Sequence, residues 1–174
     1  RKQAAVRKLQ HELLANELLR QGDTFYVETM NFKGLQTRAK NTEKNAQGKF
    51  KRKKRFGKSL ANRAPSMFLA ILNRKLSYFR KSLIEIDTFS ARASQFNHID
   101  ESYQKKKLSE RWNVINGMKV QRDMYSAFLI MNINPDLQTF NLEKCNKRFE
   151  NFLHLHNQEV KRLLGNRNLS CIGI

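Results

Sequence analysis

Glu28 stands at the end of a short predicted strand, a position at which an acidic side chain can do chemistry. Residues 23–29 are rich in β-forming side chains and favour an extended segment. In α/β proteins the carboxyl ends of the strands form the edge at which ligands bind. Many strands also end in a glutamate that only meets solvent, so the position by itself leaves both interpretations open.

Asp123 is a second candidate, because it interrupts a segment that is otherwise apolar. The surrounding pattern predicts a helix over residues 118–132. Ser126 and Ala127 follow three and four residues later, and their small side chains would let another element approach that face. The alternative is an exposed aspartate beside Arg122 that solvent stabilises.

The elements that must position these acids are read from the spacing of apolar residues. Gly22 is a suitable stop for the first helix, Pro65 suits a first turn, and Asn141 is a suitable N-cap. Apolar side chains recur at steps of three and four in four segments, which predict helices over residues 2–21, 65–80, 118–132 and 141–164.

The segments between these helices predict a small sheet. Residues 83–89 alternate in polarity like a strand, residues 90–117 are polar and predict irregular structure, and residues 165–174 resemble a tail. The order is helix, strand, basic loop, helix, strand, loop, helix, helix. This order predicts an α/β fold with a small or incomplete sheet and a long C-terminal helix.

The positive charge is the strongest signal in the composition. Lys and Arg number 34 against 15 Asp and Glu, which gives a formal net charge of +19 in 174 residues. A surface of this kind repels itself unless a polyanion or counterions neutralise it, and nucleic acid is the natural partner. A basic protein without a special partner is the plainer alternative.

Much of this charge lies in one predicted loop, residues 38–63, which holds eleven Lys or Arg and one acid, Glu43. The loop contains few apolar residues, and such a segment cannot bury a core. Phe50 and Phe56 flank the densest cluster and could stack on bases or anchor the loop. Either way, a solubilising loop remains an alternative. The candidate phosphate-binding residues are Lys49, Lys51, Arg52, Lys53, Lys54, Arg55 and Lys58.

A membrane partner is disfavoured by the sequence. No apolar run approaches the roughly 18 residues needed to span a bilayer, and no signal peptide is visible. Cys145 and Cys171 show neither metal-ligand spacing nor a disulfide framework, which favours a reducing, intracellular location.

Two short motifs resemble the TnpB (OrfB) family of transposon-encoded nucleases. Residues 27–35, Val-Glu-Thr-Met-Asn-Phe-Lys-Gly-Leu, resemble that family's strand motif, in which Glu-Asp-Leu-Asn-Leu-Lys-Gly follows hydrophobic residues. Residues 122–127, Arg-Asp-Met-Tyr-Ser-Ala, are similar to its final motif, Arg-Asp-x-Asn-Ala-Ala. Thr29 replaces the usual acid after Glu28, and Tyr125 and Ser126 also depart from the pattern.

The resemblance implies an RNA-guided DNA endonuclease with a partial RNase H-like (RuvC-type) domain over residues 1–135, followed by a C-terminal helix and tail over 136–174. Glu28 and Asp123 would be catalytic ligands to Mg²⁺, and the partners would be DNA and a guide RNA in a prokaryotic cytoplasm. The family's first catalytic Asp lies on a strand before the first helix, so we expect a fragment of a longer protein that is inactive alone.

The same resemblance places a zinc ribbon between the last strand and the Asp123 helix. The family carries two Cys-x-x-Cys pairs there, and four thiolates close a tetrahedral zinc site. In this chain residues 94–117 hold neither pair, although His98 and Asp100 could ligate a metal. We expect a degenerate ribbon without zinc, in which the thiolate positions are taken by Asn97, Asp100, Asn113 and Asn116. His11, His154 and His156 are predicted to be helix-face residues.

Two other functions remain open at this point. The chain could be a non-catalytic nucleic-acid-binding remnant of such a nuclease, or an unrelated basic protein assembled with structural RNA. The last of these predicts that Glu28 and Asp123 lie far apart, whereas a two-metal nuclease needs them at one site.

Overall fold

The structure of the protein, a computed structural model, describes residues 2–36, 43–49, 57–107 and 109–165. The chain divides into two compact units, Arg1–Glu85 and Ile86–Ile174. We call them the first and the second unit. The division of the chain at 135/136 that the sequence predicts stays a prediction.

The first unit is built on two packed helices. Its elements are α1 (Lys2–Gln21), β1 (Tyr26–Glu28), α2 (Phe32–Gln36), α3 (Gly57–Arg63) and α4 (Pro65–Ser77). The predicted helices over 2–21 and 65–80 are confirmed, although α4 ends at Ser77. The core between α1 and α4 is apolar and consists of Ala15, Ile71, Leu72 and Leu76, with further partly buried hydrophobic residues against it.

Helix α3 corrects the predicted basic loop, which ran to residue 63. Residues 57–63 are helical, and the last carbonyl groups of this helix accept hydrogen bonds from a side chain of α1. The Arg7 guanidinium donates to the backbone oxygens of Ala61 at 2.9 Å and Asn62 at 2.6 Å. A cation at a helix C-terminus satisfies carbonyl groups that have no partner within the helix.

Strand β1 pairs with β2 (Ile84–Ile86) in a two-stranded sheet, with the Ile84 N–H donating to the Phe25 carbonyl at 2.9 Å. The predicted strand over 83–89 is too long. The Asp87 carboxylate accepts from the Phe89 N–H and the Ser90 hydroxyl, and these bonds begin a short helix, α5 (Thr88–Ala91). Capping by Asp competes with strand geometry.

The second unit consists of short hairpins followed by two helices. After α5 come a 3₁₀ turn (Ala93–Gln95), β3 (Phe96–Asn97), β4 (Ser102–Tyr103), β5 (Trp112–Ile115), β6 (Met118–Gln121), α6 (Arg122–Met131) and α7 (Leu142–Leu164). The prediction of irregular structure over 90–117 is wrong, since β3 pairs antiparallel with β4 and β5 with β6.

The β5–β6 hairpin also corrects the predicted helix over 118–132, whose first four residues form β6. Asn116 and Gly117 connect the strands, and both have positive φ, 48° and 74°. Two left-handed central residues define the type I′ turn, for which Asn-Gly is a preferred sequence. The turn commits the residues after Gly117 to pair with β5, so the helix begins only at Arg122.

Aromatic side chains pack α6 against α7. The ring centroids of Phe128 and Phe152 lie 4.6 Å apart in a stacked arrangement, and Phe149 contacts both rings. The predicted helix over 141–164 is confirmed with its cap, because the Asn141 side chain accepts from the Lys144 N–H at 2.9 Å. Of the predicted tail, residues 166–174 lie outside the described residues.

The fold is therefore mixed α/β, with small two-stranded sheets and a long C-terminal helix, as the sequence predicts in outline. None of the helices in the described ranges carries a stretch long and apolar enough to cross a membrane.

Candidate functional site

Glu28 lies at the end of β1, where the sequence places it, and its side chain is half-buried. The chain then turns into α2. Asn31 fixes this turn, because its side-chain oxygen accepts from the Gly34 N–H at 2.7 Å. A Cβ at Gly34 would lie 2.9 Å from the Asn31 carboxamide, so a larger residue would displace the side chain that caps this turn. The Asn-Phe-Lys-Gly part of the motif thus has a structural role of its own.

Asp123 lies in the first turn of α6, which corrects its predicted position in the helix interior. The helix is capped by Gln121, whose side-chain oxygen accepts from the Met124 N–H at 2.8 Å. A carboxylate in the first turn lies near the positive end of the helix dipole, a common position for acidic residues. This placement holds Asp123 at the junction of β6 and α6.

Two arginines neutralise the Asp123 carboxylate. Its oxygens lie 3.5 Å from Arg122 Nε and 3.9 Å from Arg111 Nη1, and the side chain is 60% exposed. Exposed ion pairs of this length contribute little to stability. The arrangement matches the alternative interpretation of Asp123 as a surface residue paired with its arginine neighbour.

Arg122 is the better-fixed member of this pair, and the sequence analysis did not identify its role. Its side chain is buried, its N–H donates to the Arg111 carbonyl at 2.9 Å, and its guanidinium donates to the Lys107 carbonyl at 3.3 Å. A buried arginine that binds two backbone carbonyls ties the segment before β5 to the start of α6. The arginine of the Arg-Asp motif was the available signal.

His156 holds the same junction from α7. Its Nε2 accepts from the Gln121 N–H at 2.9 Å, and Asn157 contacts its other ring nitrogen at 2.9 Å. The ring is buried, whereas His154, two residues earlier, is exposed. The two histidines therefore lie on different faces of α7. A buried imidazole that caps a backbone N–H positions the chain directly before Asp123.

His98 is buried in the second unit and is bonded to Tyr125. Its Nδ1 lies 2.6 Å from the Tyr125 hydroxyl, which also accepts from the His98 N–H at 3.1 Å. Burial lowers the pKa of His98 and raises the pKa of Tyr125. Tyr125 thus fastens the first hairpin to α6, two residues from Asp123.

The positions at which the resemblance places zinc thiolates act within the hairpins themselves. Asn97 accepts from the Ile99 N–H, and Asp100 accepts from the N–H and the hydroxyl of Ser102. The Ser102 hydroxyl holds the pKa of Asp100 below its usual value. Both side chains therefore act as turn-forming acceptors, and Asn116 occupies the left-handed turn already described.

Asn113, the third of these four positions, binds a cation of the protein. Lys106 Nζ donates to the Asn113 side-chain oxygen at 2.7 Å, and Asn113 is buried. Burial lowers the pKa of the Lys106 ammonium, while the carboxylates of Glu110 and Asp100 act in the opposite direction. An ammonium at Asn113 connects the segment before β5 to the hairpin at a position where the resemblance places a zinc thiolate.

Neither compact unit by itself brings Glu28 and Asp123 together. Glu28 and Asp123 belong to different compact units. In the described residues, no group of three or more His, Cys, Asp or Glu side chains could hold a metal ion. Two guanidinium groups already occupy the surroundings of Asp123, and they disfavour a second cation there. We therefore derive no catalytic step through a metal from these residues.

Most of the predicted phosphate-binding residues cannot be placed. Lys49 is exposed, in a turn in which the Asn45 side chain accepts from the Lys49 N–H at 2.9 Å. Lys58 lies within α3. The central cations of the cluster lie outside the described residues: Lys51, Arg52, Lys53, Lys54 and Arg55.

Comparison with known proteins returned no match: no protein-family model, no curated protein and no solved structure is similar to this chain at a significant level. The resemblance to the TnpB family therefore rests on the two short motifs and their order along the chain.

Proposed function

We propose that this chain is a nucleic-acid-binding portion of a transposon-associated, RNA-guided DNA endonuclease of the TnpB type. The observation that carries the proposal is the net charge of +19, concentrated in residues 38–63, together with the two acidic motifs in the family's order. A charge of this size favours a polyanionic partner, and binding would be largely independent of base sequence. The proposed partners are DNA and a guide RNA in a prokaryotic cytoplasm.

In this proposal Glu28 and Asp123 are two of the acidic residues of an RNase H-like site that hydrolyses phosphodiesters. Glu28 ends a strand and Asp123 begins a helix, so both lie at the ends of elements rather than in their interiors. Mg²⁺ would supply an activated water and charge stabilisation at the phosphoryl group when bound. In the TnpB family a further Asp completes such a site.

A non-catalytic nucleic-acid-binding remnant is the second candidate. The observation that favours it is the pairing of Asp123 with Arg111 and Arg122 at 3.9 and 3.5 Å. Opposite charges at this distance can satisfy an aspartate without any metal. The two candidates share nucleic-acid binding and differ only in cleavage.

Binding is tested first, with the purified chain and fluorescently labelled duplex DNA and single-stranded RNA over a range of salt concentrations. We expect the logarithm of the binding constant to fall linearly with the logarithm of salt concentration. Each phosphate neutralised should contribute roughly −0.9 to the slope on duplex DNA and −0.7 on single strands. Absence of binding at low salt would contradict both candidates. If the chain binds, cleavage assays on a longer protein separate the two candidates.

A further inference from the structure

Two aromatic side chains stand next to each other, and open to solvent, where α4 ends. Tyr78 is 69% exposed and Phe79 is 64% exposed. Other apolar side chains of α4, such as Leu72 and Leu76, are buried against α1. Both rings keep most of their apolar area in water, so they contribute little to the folding of this unit.

The backbone at this point adopts a conformation that arginine disfavours. Arg80 has a φ of 57°, in the left-handed region. The Arg80 N–H donates to the Ser77 carbonyl at 3.0 Å and the Lys81 N–H to the Leu76 carbonyl at 3.1 Å. This is a Schellman-type helix end, whose left-handed residue is usually glycine. Backbone strain of this kind persists where the surroundings or a function favour the residue, and here it places a cation beside the two rings.

The charges around the rings are predominantly positive. Arg74 and Lys75 share one acid, since their nitrogens lie 2.7 and 2.9 Å from the two oxygens of Glu12. Lys81 pairs with Asp23. Among the residues that the structure describes, Arg80 has no acidic partner, and its side chain is exposed. This group therefore holds four cations and two acids. Arg80, the cation without an acidic partner among the described residues, is adjacent to the rings.

Tyr78 is held at its outer edge. Arg74 Nη1 donates to the Tyr78 hydroxyl at 3.4 Å, and the other terminal nitrogen of Arg74 binds Glu12 on α1. A ring that is restrained in this way loses little further freedom when a ligand stacks on it, so more of the stacking energy is available for binding.

We propose that Tyr78, Phe79 and Arg80 form a binding surface for single-stranded nucleic acid, which we call the α4-end surface. The rings stack on unpaired bases and Arg80 contacts a phosphate, the combination that single-strand binders use. Bases within a duplex already stack on one another and present only their edges, so the surface favours single strands. A protein partner is less suited, because the centres of protein interfaces are depleted of charge. The proposal rests on the nucleic-acid binding of the proposed function.

The test compares affinities of the full chain for a labelled single strand, oligo(dT) or oligo(U), and for a duplex of equal length. The double variant Tyr78→Ala/Phe79→Ala should bind the single strand roughly tenfold or more weakly, since a stacked base contributes about 1–3 kcal/mol. Duplex affinity should stay nearly unchanged. Phe89→Ala is the matched control: it removes a ring that is 88% exposed, on α5 next to Asp87, and should leave both affinities unchanged.

Arg80→Gly provides a second variant that the helix end accommodates without strain, because glycine favours positive φ. It should reduce the salt slope on the single strand by roughly 0.7, the contribution of one phosphate. If wild-type protein binds single strands and both variants bind them equally well, the α4-end surface is excluded and the rings belong to another kind of interface. If wild-type protein binds neither strand nor duplex, the proposed function fails together with this inference.

Discussion

The two units of the chain differ in what they bury. The core of the first unit, Ala15, Ile71, Leu72 and Leu76, is entirely apolar. Within the described residues, every buried polar or charged side chain belongs to the second unit: His98, Asn113, Gln121, Arg122, Ser126, Asn132 and His156. Apolar burial is non-directional and depends on area, whereas buried polar groups require partners at defined distances and angles.

This difference separates the tasks of the units. In the first unit, exposed cations and rings can change without loss of core contacts, and its surface is therefore available for a ligand. In the second unit, Arg122 donates a hydrogen bond to the Lys107 carbonyl, while His156 accepts from the Gln121 N–H and Tyr125 accepts from the His98 N–H. Together these bonds fix the β6–α6 junction at Asp123. A junction of this kind tolerates substitution poorly, because each lost partner leaves a buried polar group unsatisfied.

The largest expected effect concerns cleavage, and it tests whether Glu28 of the first unit and Asp123 of the second unit are each catalytic. In a longer protein that carries the first catalytic Asp of the TnpB family, Glu28→Gln and Asp123→Asn should each abolish cleavage and leave nucleic-acid binding intact. Each change keeps the side-chain shape and removes one negative charge that a metal-dependent site requires. Cleavage and binding are measured on the same preparations, with Glu143→Gln, an exposed acid in the first turn of α7, as the control.

Near-normal cleavage by Asp123→Asn would identify Asp123 as a surface residue and remove it from the proposed active site. A longer protein that binds nucleic acid without cleaving it would favour the non-catalytic remnant. Loss of binding together with cleavage would indicate misfolding. For the chain alone we expect no Mg²⁺-dependent cleavage, and robust cleavage that Glu28→Gln removes would show that no further carboxylate is needed.

The next effect concerns binding through the first unit. Replacing Lys51, Arg52, Lys53, Lys54 and Arg55 by glutamine should flatten the salt slope on duplex DNA by several units, since each phosphate contact contributes roughly −0.9. The matched control neutralises Lys144 and Lys147 on α7 of the second unit and should change the slope less. An unchanged slope in the five-residue variant would place the main binding surface elsewhere.

Tyr125→Phe tests the directional bonds of the second unit. The variant keeps the ring but removes the hydroxyl that His98 contacts through both its N–H and Nδ1. Leaving these buried groups without a partner should lower the free energy of unfolding by about 1–3 kcal/mol. Denaturant unfolding measures the change. Tyr103→Phe, on the more exposed β4, should stay within about 0.5 kcal/mol of wild type.

His98 should also make stability depend on pH. Burial lowers the pKa of His98 in the folded state. The usual pKa of histidine, about 6.5, applies to the unfolded chain. Below about that pH the unfolded chain therefore binds the proton more readily than the folded one. Stability should therefore be greatest above pH 6.5 and fall as the pH decreases. His98→Gln should reduce the pH dependence between pH 7.5 and 5.5, whereas His154→Gln, at an exposed position on α7, should retain it. Equal pH dependence in all three proteins would contradict the role of His98.

The smallest expected effect is a gain of stability in the first unit. Arg80→Gly should raise the free energy of unfolding by up to about 1 kcal/mol, because glycine adopts the left-handed conformation without the steric penalty of a side chain. Thermal unfolding measures this gain. Lys81→Gly, one residue on and outside the left-handed position, should not stabilise the protein. A loss of stability in Arg80→Gly would mean that the arginine side chain raises the free energy of unfolding by more than the backbone strain lowers it.

Local sequence patterns determined the long elements. Helix α1 is an uninterrupted segment of good helix formers that ends beside Gly22, and α7 follows from apolar residues at steps of three and four behind the Asn141 cap. The placement of Glu28 at a strand end was also predictable from β-forming residues over a few positions. Helix periodicity, capping and composition act within a few residues, so they can be read without knowledge of the fold.

The sequence determines the β5–β6 hairpin only in part, and the helix predicted over residues 118–132 conflicts with it. Asn116-Gly117 between Val114 and Val120 is a strong hairpin signal, and it places Met118 to Gln121 opposite β5. Without the hairpin, the apolar spacing of 118–132 favours one continuous helix. The error moved Asp123 from the first turn of α6 into a helix interior.

Only the tertiary structure decided which polar side chains are buried and what they bind. His156 reaches the Gln121 N–H across 35 positions of sequence, and Tyr125 reaches His98 across 27. Arg122 is buried although arginine is usually exposed. Its guanidinium donates to the Lys107 carbonyl and its backbone N–H donates to the Arg111 carbonyl. Such partners come together only when distant segments pack, so no pattern within a helix or a strand reveals them.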